Sequence, residues 1–155
     1  MPSIFDKLNL KDHRDLVVLN APDSFEPELN TLSGREIRRK VAGKSPVSFA
    51  IAFVKKQAEI DQAARALVPR MDGDVILWFA YPKGSSKRHT CDFNRDTGWA
   101  LLGKSGFEPV RMVAIDEDWS AIRFRRAGFI KTLTRGKEHA LSAEGRQKAG
   151  AARKR

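Results

Sequence analysis

Apolar residues fall along the chain in blocks whose spacing changes from one block to the next. Leu16, Val17, Val18 and Leu19 form a short burst that Asn20-Ala21-Pro22-Asp23 closes, which predicts a strand followed by a turn. Over residues 25–44 the pattern thins. There Ile37 and Val41 stand four apart among Arg35, Arg38, Arg39 and Lys40, a spacing that suits a short amphipathic helix with a basic outer face. Residues 47–54 are almost continuously apolar, as in a strand buried on both faces. Next, Ile60, Ala63, Ala64, Leu67 and Val68 repeat at helical spacing, and Pro69 with Met71-Asp72-Gly73 supplies the stop. Residues 74–81 make the strongest predicted strand, with most of its aromatics expected in the core. A polar loop over 82–92 leads to a predicted helix over 94–103, with Trp99 and Leu102 on its apolar side, closed by Lys104-Ser105-Gly106. Finally, residues 110–115 and 120–126 flank a turn at Asp116-Glu117-Asp118, and Ile122 and Phe124 alternate with Arg123 and Arg125, a hairpin with one apolar face. Strands alternating with helices predict an α/β domain of three layers, whose mostly parallel sheet is joined by right-handed crossovers and carries an antiparallel hairpin at one edge.

The residues at the joints carry a resemblance. Leu19-Asn20-Ala21-Pro22, Leu77-Trp78-Phe79-Ala80-Tyr81-Pro82-Lys83, Asn94-Arg95-Asp96-Thr97 and Ala114-Ile115-Asp116-Glu117-Asp118-Trp119-Ser120 resemble a bacterial family of small α/β proteins, a domain of unknown function. More distantly, the element order over residues 15–126 is similar to the second half of the Rossmann-like domain of S-adenosylmethionine-dependent methyltransferases. That resemblance implies a Rossmann-like sheet, truncated relative to a methyltransferase. It also sets a pattern from which this chain departs. Such enzymes place a glycine-rich turn after the first strand, where backbone N–H groups approach the ligand, and an acidic residue at the end of the second. Here the turn is Asn20-Ala21-Pro22-Asp23-Ser24-Phe25, with no glycine, and residues 25–44 offer no convincing strand. No cofactor is therefore expected, and a degenerate member of the superfold is the better reading.

Charge changes the picture once it is divided by segment. The 155 residues carry a formal net charge of +10. Residues 131–155 hold eight Lys and Arg against Glu138 and Glu144, a net +6, and beyond Arg135 their one large aliphatic residue is Leu141. Such a segment buries too little to offset its ordering entropy, so the expectation is a single α/β domain over 1–130 followed by a basic, disordered tail over 131–155. A tail of this kind suits nucleic-acid phosphates. The sole cysteine, Cys91, excludes an internal disulfide framework and points to a reducing compartment. Neither an apolar run of spanning length nor a signal peptide is read, so a cytoplasmic protein without membrane association is expected.

In open α/β sheets, ligands bind at the carboxyl ends of the parallel strands. Those ends supply Asn20 from the first strand, Lys55 and Lys56 from the second, and Lys83, Ser85, Ser86, Lys87 and Arg88 from the third. Cations and hydroxyls in that combination can hold a phosphate-bearing small molecule through charge-assisted hydrogen bonds. The loop does not match a glycine-lysine phosphate loop, and a solvated basic surface is the alternative. A secondary candidate is Asp116, Trp119 and Arg123, because paired carboxylates can perform acid-base work when they converge. Consecutive turn residues generally point apart, and the more economical reading has the acids shaping the turn, Trp119 covering the sheet edge and the arginines balancing the acids. His13, His89 and His139 are too scattered for a metal site or a catalytic dyad, and no catalytic residue is assigned. The sequence thus favours a binding protein for a small anion. Nucleic-acid association through the tail comes second, and transfer or hydrolysis on a phosphorylated substrate third. The hairpin at the sheet edge is also a candidate homodimer surface.

Overall fold

A computed structural model describes residues 4–11, 13–41, 45–84, 86 and 98–129. Its centre is a six-stranded sheet in the order β2-β1-β3-β4-β6-β5. The strands are β1 (Asp15–Leu19), β2 (Glu36–Arg38), β3 (Phe49–Phe53), β4 (Ile76–Pro82), β5 (Phe107–Ala114) and β6 (Trp119–Arg126). The first four run parallel to one another, while β6 is antiparallel to both β4 and β5. This is a Rossmann-like α/β sheet with an antiparallel hairpin at its edge, as the alternation of elements predicted.

Period-two alternation divides the strands between two cores. Leu16, Val18, Phe49, Ile51, Phe53 and Trp78 face one side, where α1 (Ile4–Lys7) and α2 (Glu26–Leu29) contribute Phe5 and Leu29, with Phe25 from the turn just before α2. Val17, Ala50, Ala52, Leu77 and Phe79 face the other, covered by α3 (Gln57–Leu67) and α4 (Ala100–Lys104). The helical spacing read from the sequence is the buried stripe of α3, since Ile60, Ala63, Ala64 and Leu67 are all buried. Every residue of β4 is buried too, which explains its unbroken apolar run. Trp78 lies in the central layer, and its indole N–H donates to the Leu8 carbonyl at 2.8 Å, pinning the segment after α1 to the sheet.

Two expectations need correction. Residues 35–41 are not a helix: Glu36–Arg38 form β2, with Leu16 opposite Ile37. Ile37 packs toward the α1/α2 core and Val41 toward the α3/α4 core, so their spacing of four does not mark one helical face. Tertiary contacts decide here, because Asp15 binds Arg38 at 3.0 Å and the Arg38 guanidinium also donates to the Pro46 carbonyl at 2.9 Å. A three-residue strand is too short to show alternation. The hairpin is also longer than read, because β5 starts at Phe107 and passes an irregularity between Pro109 and Arg111. Pro109 has no N–H for the ladder and is tolerated on this outer strand. The predicted helix over 94–103 appears as α4 from Ala100; residues 94–97 and the tail 131–155 lie outside the described residues.

Candidate functional site

The carboxyl ends of β1, β3 and β4 lie along one edge, and the antiparallel hairpin brings its turn to the same edge, because Pro82 pairs with Trp119. The described primary candidates, Asn20, Lys55, Lys56, Lys83 and Ser86, and part of the secondary set are thereby joined. Asn20 follows β1 in the left-handed backbone region, with φ 58°, and is exposed. The sequence offered no glycine at this turn, but asparagine is one of the few side chains that adopt that conformation without large strain.

Lys55 and Lys56 follow β3 and sit at the start of α3. Their backbone N–H groups both donate to Glu59 Oε1, at 2.8 and 3.0 Å. One carboxylate one turn into the helix therefore fixes the backbone carrying both lysines. The Lys55 ammonium reaches over the Trp119 ring, 5.9 Å from its centroid. Trp119 itself is buried and meets Phe53 edge-on at 5.2 Å, so it forms the floor of this corner.

On β4, the Lys83 N–H donates to the Asp118 carbonyl at 2.8 Å, and the Ser86 hydroxyl donates to Asp118 Oδ1 at 2.8 Å. The loop after β4 is thus tied to the hairpin turn. Asp116 Oδ1 in turn accepts the N–H groups of Asp118 and Trp119, at 2.8 and 2.9 Å. These carboxylates shape the turn, as the economical reading held. None of Lys55, Lys56 and Lys83 forms an ion pair among the described residues. Ser85, Lys87 and Arg88 lie outside the described residues, as do His89 and Cys91.

Arg123 does not join this edge. It lies midway along β6, opposite Trp78 on one side and Arg111 on the other. Burial and then the neighbouring Arg125 lower its pKa. The expectation that the hairpin arginines balance the turn acids fails for a geometric reason, because Arg123 lies midway along β6 and Arg125 and Arg126 lie at its far end from the turn. Arg125 instead forks onto Asp74 just before β4, at 2.8 and 2.6 Å. That hydrogen bonding holds the Asp74 carboxyl below its ordinary value and raises the Arg125 pKa. No spacing rule could have found the Asp74 pair, which joins residues 51 positions apart.

The fold also allows a test of the methyltransferase-type cofactor site. A strand after the first crossover exists, contrary to the sequence reading, but it ends in Arg38-Arg39 and not in an acid. Arg39 is engaged bidentately by Glu26 at the start of α2, at 2.8 and 2.9 Å, which lowers the Glu26 pKa. A basic strand end and a turn without glycine do not suit the ribose hydroxyls and close backbone approach of that cofactor. The residues present do not fit it. Among the described residues no cluster of His, Cys, Asp and Glu is arranged to hold a metal ion, and no helix is long and apolar enough to cross a membrane.

No family model and no curated protein matches the chain. Solved structures do. The pyocyanin biosynthetic protein PhzM is 14% identical with a TM-score of 0.48, over 80% of this chain and 54% of that one, so this chain spans about half its length. The N-methyltransferase NodS from Bradyrhizobium japonicum WM9 is 12% identical with a TM-score of 0.47, over 74% and 85%. A SAM-dependent methyltransferase from Aquifex aeolicus is 8% identical with a TM-score of 0.47, over 79% and 87%. These are likenesses of fold.

Proposed function

We propose that the protein binds a phosphate-bearing small molecule at the carboxyl edge of its parallel strands, between the ends of β1, β3 and β4. One observation carries this reading. Lys55, Lys56 and Lys83 all follow strands that end at that edge and have no ion-pair partners among the described residues, while Glu59, Asp116 and Asp118 beside them accept from local backbone and hydroxyl donors. An anion there gains charge-assisted hydrogen bonds without displacing an internal pair. Asn20 lies at the β1 end of the same edge, with Ser86 at the β4 end. Ser85 before it in sequence and Lys87 and Arg88 after it complete the candidate set. The reading is of binding, with no chemical step assigned to any side chain.

Calorimetric titration of the whole protein with inorganic pyrophosphate, and with ribose 5-phosphate, tests it. Saturable heat is expected, and Lys55→Gln with Lys83→Gln is expected to weaken binding by about tenfold or more, as loss of hydrogen bonds to charged groups generally does. Equal titrations for the parent and the folded double variant would sink the reading. A second reading, nucleic-acid association, is favoured by the +6 charge of residues 131–155. Removal of those residues should then weaken retention on DNA and leave the pyrophosphate titration intact.

A further inference from the structure

Four arginines line the hairpin, and the structure sorts them. Arg126 donates to the Met71 carbonyl and stacks over Phe107, 4.6 Å from the ring centroid. Arg125 is held by both oxygens of Asp74. Arg111 and Arg123 differ. They stand directly opposite each other on β5 and β6, and neither forms an ion pair among the described residues. Like charges at directly opposed positions are destabilising. Arg123 is half-buried beside Trp78, and its Nε is enclosed with no hydrogen-bond partner among the described residues. Arg125 and Arg111 both add repulsion to its burial. The outer part of the sheet therefore holds a repulsive, partly desolvated guanidinium pair whose internal counter-charge, Asp74, is already engaged by Arg125.

We propose that the hairpin face carrying Arg111 and Arg123 binds the phosphodiester backbone of nucleic acid. Two features select that occupant. Guanidinium groups offer paired donors that match phosphate oxygens, and Arg is preferred over Lys where such bidentate contact matters. The chain's own continuation does not match in charge, because residues 131–155 carry a net +6 and are attracted to the same polyanion as the face itself. This surface is separate from the lysine edge: Arg123 lies four residues along β6 from Trp119, about 13 Å at the usual rise per residue.

The test is fluorescence anisotropy of a short labelled duplex of random sequence, titrated with the full chain over a series of salt concentrations. Binding by the parent should weaken linearly on logarithmic axes as salt rises. Arg111→Gln with Arg123→Gln should reduce that slope by about 1 to 2, close to one unit for each phosphate the protein no longer neutralises. Lys for Arg at both positions should restore most of the slope but not all the affinity, since charge returns without the fork. Lys55→Gln with Lys83→Gln should leave the slope unchanged, so failure here and failure of the pyrophosphate titration are separate results. Arg111→Gln alone guards against misfolding, because Arg111 is exposed and should by itself lower the slope by about 1. An unchanged slope in a folded variant, no duplex binding by the parent, or binding of polyglutamate in place of the duplex would overturn the proposal.

Discussion

Glu59 is where stability and the candidate site can be separated in one experiment. Its Oε1 accepts from Lys55 N–H at 2.8 Å and Lys56 N–H at 3.0 Å, at the start of a helix that buries Ile60, Ala63, Ala64 and Leu67. Replacement by alanine leaves two donors to water and frees the turn. Loss of such a cap costs about 0.5–2 kcal/mol, and we expect the upper half of that range because two donors share the carboxylate. Replacement by glutamine keeps an acceptor and removes only the charge, so its cost should be about 0.3–1 kcal/mol, the value of a carboxylate near a helix N-terminus. Urea unfolding followed by circular dichroism measures both, with the slope expected to be unchanged. Pyrophosphate binding should respond with opposite signs. Glu59→Gln removes a negative charge beside the lysines and should tighten binding slightly, whereas Glu59→Ala lets their backbone move and should weaken it. If alanine is tolerated within the error of the unfolding curve, or if both variants shift binding alike, then Glu59 does not position Lys55 and Lys56 and the reasoning fails.

Two further outcomes are expected. Trp78→Phe orphans the buried Leu8 carbonyl and leaves a small void, which together should cost about 2–4 kcal/mol; Trp99 and Trp119 remain as fluorescence probes, and a midpoint in urea equal to the parent's would refute the tie between the α1 segment and the sheet. Asp74→Asn probes the depressed carboxyl bonded to Arg125. A lowered folded-state pKa contributes stability that is present above the unfolded value, near 3.8, and is lost as pH falls through the folded value. Because the Asp74 side chain is 36% exposed, the contribution should stay below about 1 kcal/mol, and parent and variant stabilities should converge in the acid range below that value. Curves that run parallel down to about pH 2 would exclude the linkage.

The elements carrying a full period of apolar residues were legible from the chain alone. Four apolar positions at helical spacing made α3, and unbroken apolar runs made β3 and β4, because burial on one stripe or on both sheet faces restricts residue type to apolar side chains. Alternation of these elements then sufficed for a parallel, Rossmann-like sheet, since crossovers have one hand. The site was partly legible. The rule that ligands meet the strand carboxyl ends put Asn20, Lys55, Lys56 and Lys83 on one edge, but it could not say that the 116–119 turn arrives there too. That depends on β6 pairing with β4 in a register that sets Trp119 against Pro82.

What only tertiary structure decided are the features that join distant residues. β2 is a strand because Asp15 and the Pro46 carbonyl hold Arg38 and because Ile37 and Val41 enter different cores; three residues carry no period of their own. The arginines of β6 look equivalent in sequence, yet register sets Arg123 against Arg111 while Asp74, fifty-one residues away from Arg125, is within reach of that side chain. Local pattern fixes which face of an element is apolar, since that follows from backbone period alone. Which charges find partners depends on strand order and register, which arise only when the whole sheet assembles.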